Sequence, residues 1–263
     1  MLGKRVTLGV MLGLGVVLGP GFGCTPSQEA QRVQLEVEVD DAALVIGDND
    51  LGWRVELGTA RIAVMDLQFS ILGEGHDASA WLPSWLIGRA WAHPGHLSGG
   101  DVTGELGGEF ILDWTGAGGM QLGTAEMLTG VYQGLNFGFR AAAGASDGLV
   151  VDDPLLGHTA HFAGTASKAG QVVMFTAQVD IEAGTQMVGA PFEIEVGPTS
   201  AAPVVLQLFP VDPVEGLSLF DGLDFAALDA DGDGLVAIVP GEDAHNFLRR
   251  TLQSHVHYGA VER

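Results

Sequence analysis

Apolar and polar residues alternate along much of this chain in runs too short for helices, and glycine separates one run from the next. Val33, Leu35, Val37 and Val39 alternate with Gln34, Glu36, Glu38 and Asp40. A period of two puts each set on its own face of an extended strand, one face buried. Comparable strand signals occur at 53–57, 60–71, 101–115, 130–141, 159–167, 170–181, 191–196 and 203–209. Within 60–71 the apolar parity changes between Val64 and Leu67, which marks a β-bulge. Forty glycines punctuate the runs, so turns are frequent and helices few. The pattern predicts an all-β fold, an antiparallel β-sandwich or Greek-key barrel with a short C-terminal helical segment. One cysteine cannot build a disulfide framework, so the core must carry the stability.

The first 23 residues read as a targeting segment. Lys4 and Arg5 precede an apolar, glycine-interrupted stretch from Val6 to Leu18, shorter than the roughly 20 residues a membrane-spanning helix needs. Gly23 then stands before Cys24, an order that resembles a bacterial lipoprotein signal, although Gly21 occupies the place where such signals usually carry leucine. The resemblance implies a lipid on Cys24, a tether over 24–32 and a bacterial cell-envelope location, outer membrane or periplasm, with the membrane as a partner. The alternative is an ordinary secretory signal with an incidental cysteine. The whole chain has a formal charge of −22, which excludes the basic face that nucleic acids require and favours attraction of cations.

The rest divides into a β-sandwich domain over 33–215 and an extension over 216–263 packed on the same domain. Residues 76–100 are irregular and tryptophan-rich, with a short helix expected near 79–90. Ser218 to Leu228 reads as a short helix. Glu242 to Ser254 reads as an amphipathic one, with Ala244, Phe247, Leu248 and Leu252 as its apolar stripe. Arg249 and Arg250 suit its C-terminal end.

Seven of the eight histidines fall in or near short-spaced groups. His93 and His96 flank a Pro-Gly turn, which lets two imidazoles converge, with Trp91 beside them. His158 and His161 serve one ion only if His158 stays in the loop, because positions three apart on a strand point to opposite faces. His255 and His257 share a face if the tail is extended, while His245 reads as a helix-surface or capping residue. Neutral imidazole is a common ligand near pH 7. With carboxylates and without a domain cysteine it points to Zn(II) or Cu(II). The expected role is metal acquisition or sequestration, possession of the ion passing to a membrane transporter. The competing expectation is a non-catalytic structural or surface-interaction lipoprotein braced by calcium.

Calcium enters through Asp229-Ala-Asp231-Gly-Asp233-Gly234, whose spacing resembles the first half of an EF-hand loop. The twelfth position is Pro240 instead of glutamate, which leaves Glu242 or Asp243 to supply that oxygen. No HExxH, CxxCH or phosphate-loop pattern is present, which leaves zincin-type proteases, c-type haem and phosphate-loop enzymes without sequence support; a metallohydrolase, the remaining catalytic alternative, would need an open coordination position and a general base that no spacing here supplies. Asp101, Glu105 and Glu109 share strand parity and read as an outward polar face.

The stretch DNDLGWRVELGTARIAVMDLQF, from Asp48 to Phe69, with scattered histidines in an exported all-β chain, resembles the MbnP-like periplasmic copper-binding proteins. That resemblance implies copper held by a histidine pair near a modified tryptophan. Trp91, His93 and His96 form a similar grouping.

Overall fold

The computed structural model describes residues 31–71, 102–116 and 119–263. Within them the chain forms β1 (Arg32–Val39), β2 (Gly47–Asp48), β3 (Arg54–Ile71), β4 (Val102–Asp113), β5 (Met120–Leu128), β6 (Gly130–Phe139), β7 (Ala160–Lys168), β8 (Gln171–Val179), β9 (Gln186–Val196), β10 (Val204–Leu208), α1 (Phe225–Leu228), β11 (Leu235–Ile238), α2 (Asp243–Leu252) and β12 (Tyr258–Glu262). Short 3-10 turns cover Gly144–Asp147 and His255–His257. The fold is all-β, as the alternation requires. The targeting segment, Cys24, the expected helix near 79–90, the three tryptophans there, Asp101 and the histidines at 76, 93 and 96 lie outside the described residues.

The long strand β3 organises the sheet. On one edge it pairs with β7 from Arg54 to Ile62 and with β6 from Val64 to Ile71. On the other it pairs with β4 from Arg61 to Ser70. The sheet therefore forks at Ala63. One branch runs β7-β8-β11, another β6-β9, and the opposite side continues β4-β5-β1-β10-β12. Two pairs, β1 with β10 and β11 with β8, are parallel in an otherwise antiparallel sheet. The free edge of β12 packs alongside β9.

The runs expected at 53–57 and 60–71 are one strand: its ladder to β7 shifts register between Leu57 and Thr59, past Gly58, and continues to Ile62. The bulge lies where the parity breaks: the register to β4 shifts between Met65 and Leu67. Asp66 turns to φ 51° there, and its Oδ1 accepts from the Gly108 amide at 3.1 Å. The extra residue lets Val64, Leu67 and Phe69 all stay buried. Elsewhere the period of two holds, with Leu35, Val37 and Val39 of β1 and Val173, Phe175, Ala177 and Val179 of β8 facing inward.

Residues 216–263 are woven into the same core. Leu219, Phe220, Leu223 and Phe225 belong to the main apolar cluster, with Phe175 against both Phe220 and Phe225. Buried Asn49 ties them down: its Nδ2 donates to the Phe220 and Leu223 carbonyls, and its Oδ1 accepts from the Leu51 and Trp53 amides. The helix expected from Ser218 shrinks to Phe225–Leu228. Gly222 sits at φ 82°, which breaks any helix before it, and the Asp224 side chain caps the turn that follows. On α2 the buried face is Ala244, His245, Leu248 and Leu252, while Phe247 is partly exposed. The apolar stripe is thus displaced by one position. His245 replaces Phe247 because its Nε2 is needed as acceptor for the Asp180 amide at 3.0 Å.

Candidate functional site

Two kinds of acidic feature stand on this framework. The first is the excursion between β6 and β7, which leaves the sheet at the fork and folds back over Ala63, with Ala142 and Leu155 in a small cluster of their own. Arg140 pins it. Its guanidinium, 5% exposed, makes a bidentate pair with Asp147 at 2.8 and 2.6 Å, and it also donates to the carbonyls of Val64, Ala141 and Phe110. A buried cation is tolerated when each donor finds an acceptor and an anion faces it. Arg61 likewise makes a bidentate pair with Asp153 at 2.9 and 2.8 Å, although its Nε is buried without an acceptor. These guanidinium groups hold both carboxyls below the ordinary 3.8. Neither pair was visible in the sequence, because nothing in residue spacing reports that Ala63 is a fork.

The second feature is the loop between α1 and β11. Positive φ at Gly232 and Gly234, 73° and 79°, wraps it tightly. Asp229 Oδ1 accepts from the Gly234 amide at 3.1 Å, and Asp233 Oδ1 accepts from the Leu235 amide at 2.8 Å. Each carboxylate in these bonds keeps further lone pairs. Ligand oxygens of Asp229, Asp231 and Asp233 lie within 4.8 Å of one another. Like charges so spaced repel by about 1 kcal/mol per pair even at the dielectric of water. Among the described residues no arginine, lysine or histidine forms an ion pair with them. Gly234 passes the loop straight into the sheet, its carbonyl accepting from Met174 of β8 at 2.9 Å. Glu242 is not in the cluster. Its Oε2 accepts from the Val239 amide at 3.2 Å, across the turn that starts α2.

The described histidines do not converge. His158 stays in the loop, as a shared site with His161 requires, but its Nδ1 pairs with Asp180 at 2.7 Å. His161 lies on β7, buried. Arg61 Nη2 can only donate, so Nδ1 at 3.3 Å is the acceptor and Nε2 carries the proton, donating to Thr176 Oγ1 at 3.1 Å. Both ring nitrogens are therefore used inside the protein. Burial and the neighbouring guanidinium push His161 below its ordinary 6.5.

The expected extended tail at His255–His257 is a 3-10 turn, whose three residues per turn set neighbours two apart on different faces. His257 is buried and donates from Nδ1 to the Phe209 carbonyl at 2.9 Å; burial lowers its pKa too. His255 is half-buried. Among the described residues, the only group of three or more histidine or carboxylate ligand atoms close enough to share an ion is the aspartate trio. His93 and His96 lie outside the described residues.

Compared with protein-family models, with curated proteins and with solved structures, the chain has no match.

Proposed function

We propose that this chain is a non-catalytic envelope protein, exported and lipid-anchored through Cys24, in which Ca(II) on the Asp229–Asp233 loop braces a β domain built for surface interaction. The observation that carries the reading is the three carboxylates gathered within 4.8 Å with no cation of the described protein against them. Hard oxygen ligands on a tight, glycine-permitted loop suit calcium, whereas Zn(II) and Cu(II) favour imidazole or thiolate. When bound, the ion would supply charge neutralisation and rigidity. Asp229, Asp231 and Asp233 would hold it, and the loop would then fix β11 against β8 and the start of α2. A Zn(II) or Cu(II) role, with delivery to a transporter, would have to rest on His93 and His96.

Calorimetric titration of the full chain with calcium tests this. Saturable binding that disappears in Asp231→Ala is the expected result. Absence of calcium binding in the unaltered chain, or binding unaffected by the substitution, contradicts it. Mass analysis of the envelope-derived protein tests the anchor, which requires an acylated Cys24 at the mature terminus.

A further inference from the structure

A cleft of about 390 Å³ opens between β9, the 209–217 loop and the 3-10 turn before β12. Pro191, Phe209, Val214, Leu217 and Val256 give it apolar walls. The volume falls in the range of small-molecule sites, which combine such walls with a few placed polar groups. Val214 is 84% exposed and Leu217 47%, so apolar surface at the cleft faces water in a chain of formal charge −22.

The charged groups and the phenol of the lining are spent inside the protein. Buried Asp212 accepts at Oδ1 from the Val214 amide at 2.9 Å and at Oδ2 from the Glu215 amide at 3.0 Å. Its own amide donates to the Leu217 carbonyl at 2.7 Å, and its carbonyl accepts from the Gly216 amide at 3.0 Å. Asp212 thus holds the loop in its cleft-forming shape. The Tyr258 hydroxyl donates to the Leu252 carbonyl at 2.8 Å. Glu215 and His255 also line the cleft, and each is already engaged in an interaction of its own. An ion entering the hollow would lose hydration without gaining a partner, which costs far more than the entry of a neutral group. Ser254 brings the only aliphatic hydroxyl of the lining, and a hydroxyl can both donate and accept.

We propose that this cleft binds a small, neutral, largely apolar molecule with one hydrogen-bonding group, its body between Phe209, Leu217 and Val256 and its polar end on Ser254. Ions of the same shape bind more weakly, whichever their sign, because neither recovers the hydration it gives up. The cleft shares no residue with the aspartate loop, so it stands or falls independently of the calcium reading.

Amide NMR titration of the full chain with phenethyl alcohol provides the test, with phenethylammonium and hydrocinnamate as charged counterparts of the same skeleton. Saturable shifts at Val214, Ser254 and Val256 are expected with the alcohol, and affinity at least about tenfold weaker for either ion. Ser254→Ala weakens the alcohol about threefold, the loss of one hydrogen bond. Val256→Trp fills the hollow and abolishes binding; Leu217→Trp, at a more exposed wall, serves if the first variant fails its thermal melt. No saturable shift up to about 10 mM alcohol overturns the proposal, as does an ion that binds as tightly as the alcohol. Shifts of the same amides with protein concentration alone also overturn it, since a second copy of the chain would then cover the cleft.

Discussion

The excursion between β6 and β7 and the loop between α1 and β11 are both rich in aspartate, yet they balance that charge differently. In the excursion two of the three aspartates meet a guanidinium from the sheet beneath, Asp147 on Arg140 and Asp153 on Arg61, while Asp152 is exposed. In the loop, three carboxylates face one another and the described protein provides no cation. The first region carries its counter-charge in its own sequence. The second, on the calcium reading proposed above, takes its counter-charge from solution. On that proposal a strongly acidic chain uses the same residue type as an internal latch and as an ion receptor, and the deciding variable is what the neighbouring strand places underneath.

The contrast can be broken most severely at Asp147. Asp147→Ala takes the bidentate partner from the buried Arg140 guanidinium and leaves only the exposed Glu109 at 3.9 Å as an anion, and a loss of about 3 kcal/mol in urea unfolding is expected. Adding Arg140→Leu to that variant should recover part of the loss, since removing both charges is less costly than stranding one. A double variant as unstable as the single one would show that packing, not charge balance, holds the excursion.

The loop should respond in the opposite sense. Calcium at about 100 times its dissociation constant should stabilise the chain by about 2.7 kcal/mol. Asp231→Ala should abolish that gain while leaving calcium-free stability unchanged or slightly higher, because a repulsive neighbour is gone. A large loss of calcium-free stability in Asp231→Ala would mean that the loop, like the excursion, is balanced internally.

Acid separates the regions further. His161 and His257 titrate below their ordinary 6.5 when folded, so the unfolded chain takes up protons first and stability falls as pH drops below 6.5. Asp147 and Asp153 titrate below 3.8 when folded. Their contribution is complete above 3.8 and is lost as pH falls from there through their lowered folded values. Unfolding free energy against pH should therefore decline in two stages. His161→Gln should shrink the upper stage and leave the lower one in place. The smallest expected effect is at Glu242: Glu242→Ala frees the Val239 amide at an exposed turn, at a cost of about 1 kcal/mol.

The sheet was legible in the chain wherever burial follows a period of two. The shift at Asp66 could be read from Val64 and Leu67 alone, because a bulge has to reset parity to keep both buried. The short β2 and β11 were missed, as were β5 and β12. Glycines at 123 and 259 interrupt their patterns, and β12 gains its place from pairing with β10, a partner distant in sequence. On α2, Phe247 outranks His245 in hydrophobicity, so sequence reasoning assigns the buried face to the phenylalanine. The backbone amide of Asp180, an acceptor-seeking group on another element, reverses that choice. The histidine spacings misled for the same reason: His161 lies close to His158 along the chain, but Arg61 and Thr176, brought in by β3 and β8, claim its nitrogens. The aspartate loop was readable because all its geometry is local, fixed by Gly232 and Gly234 within six residues of Asp229.

Amide hydrogen exchange with and without calcium tests the contrast most directly. The account predicts slower exchange at Gly234, Leu235 and Ala237 when calcium is added, with the amides of 143–157 unchanged. Calcium that slows exchange in the excursion and leaves the 229–238 amides untouched would contradict it.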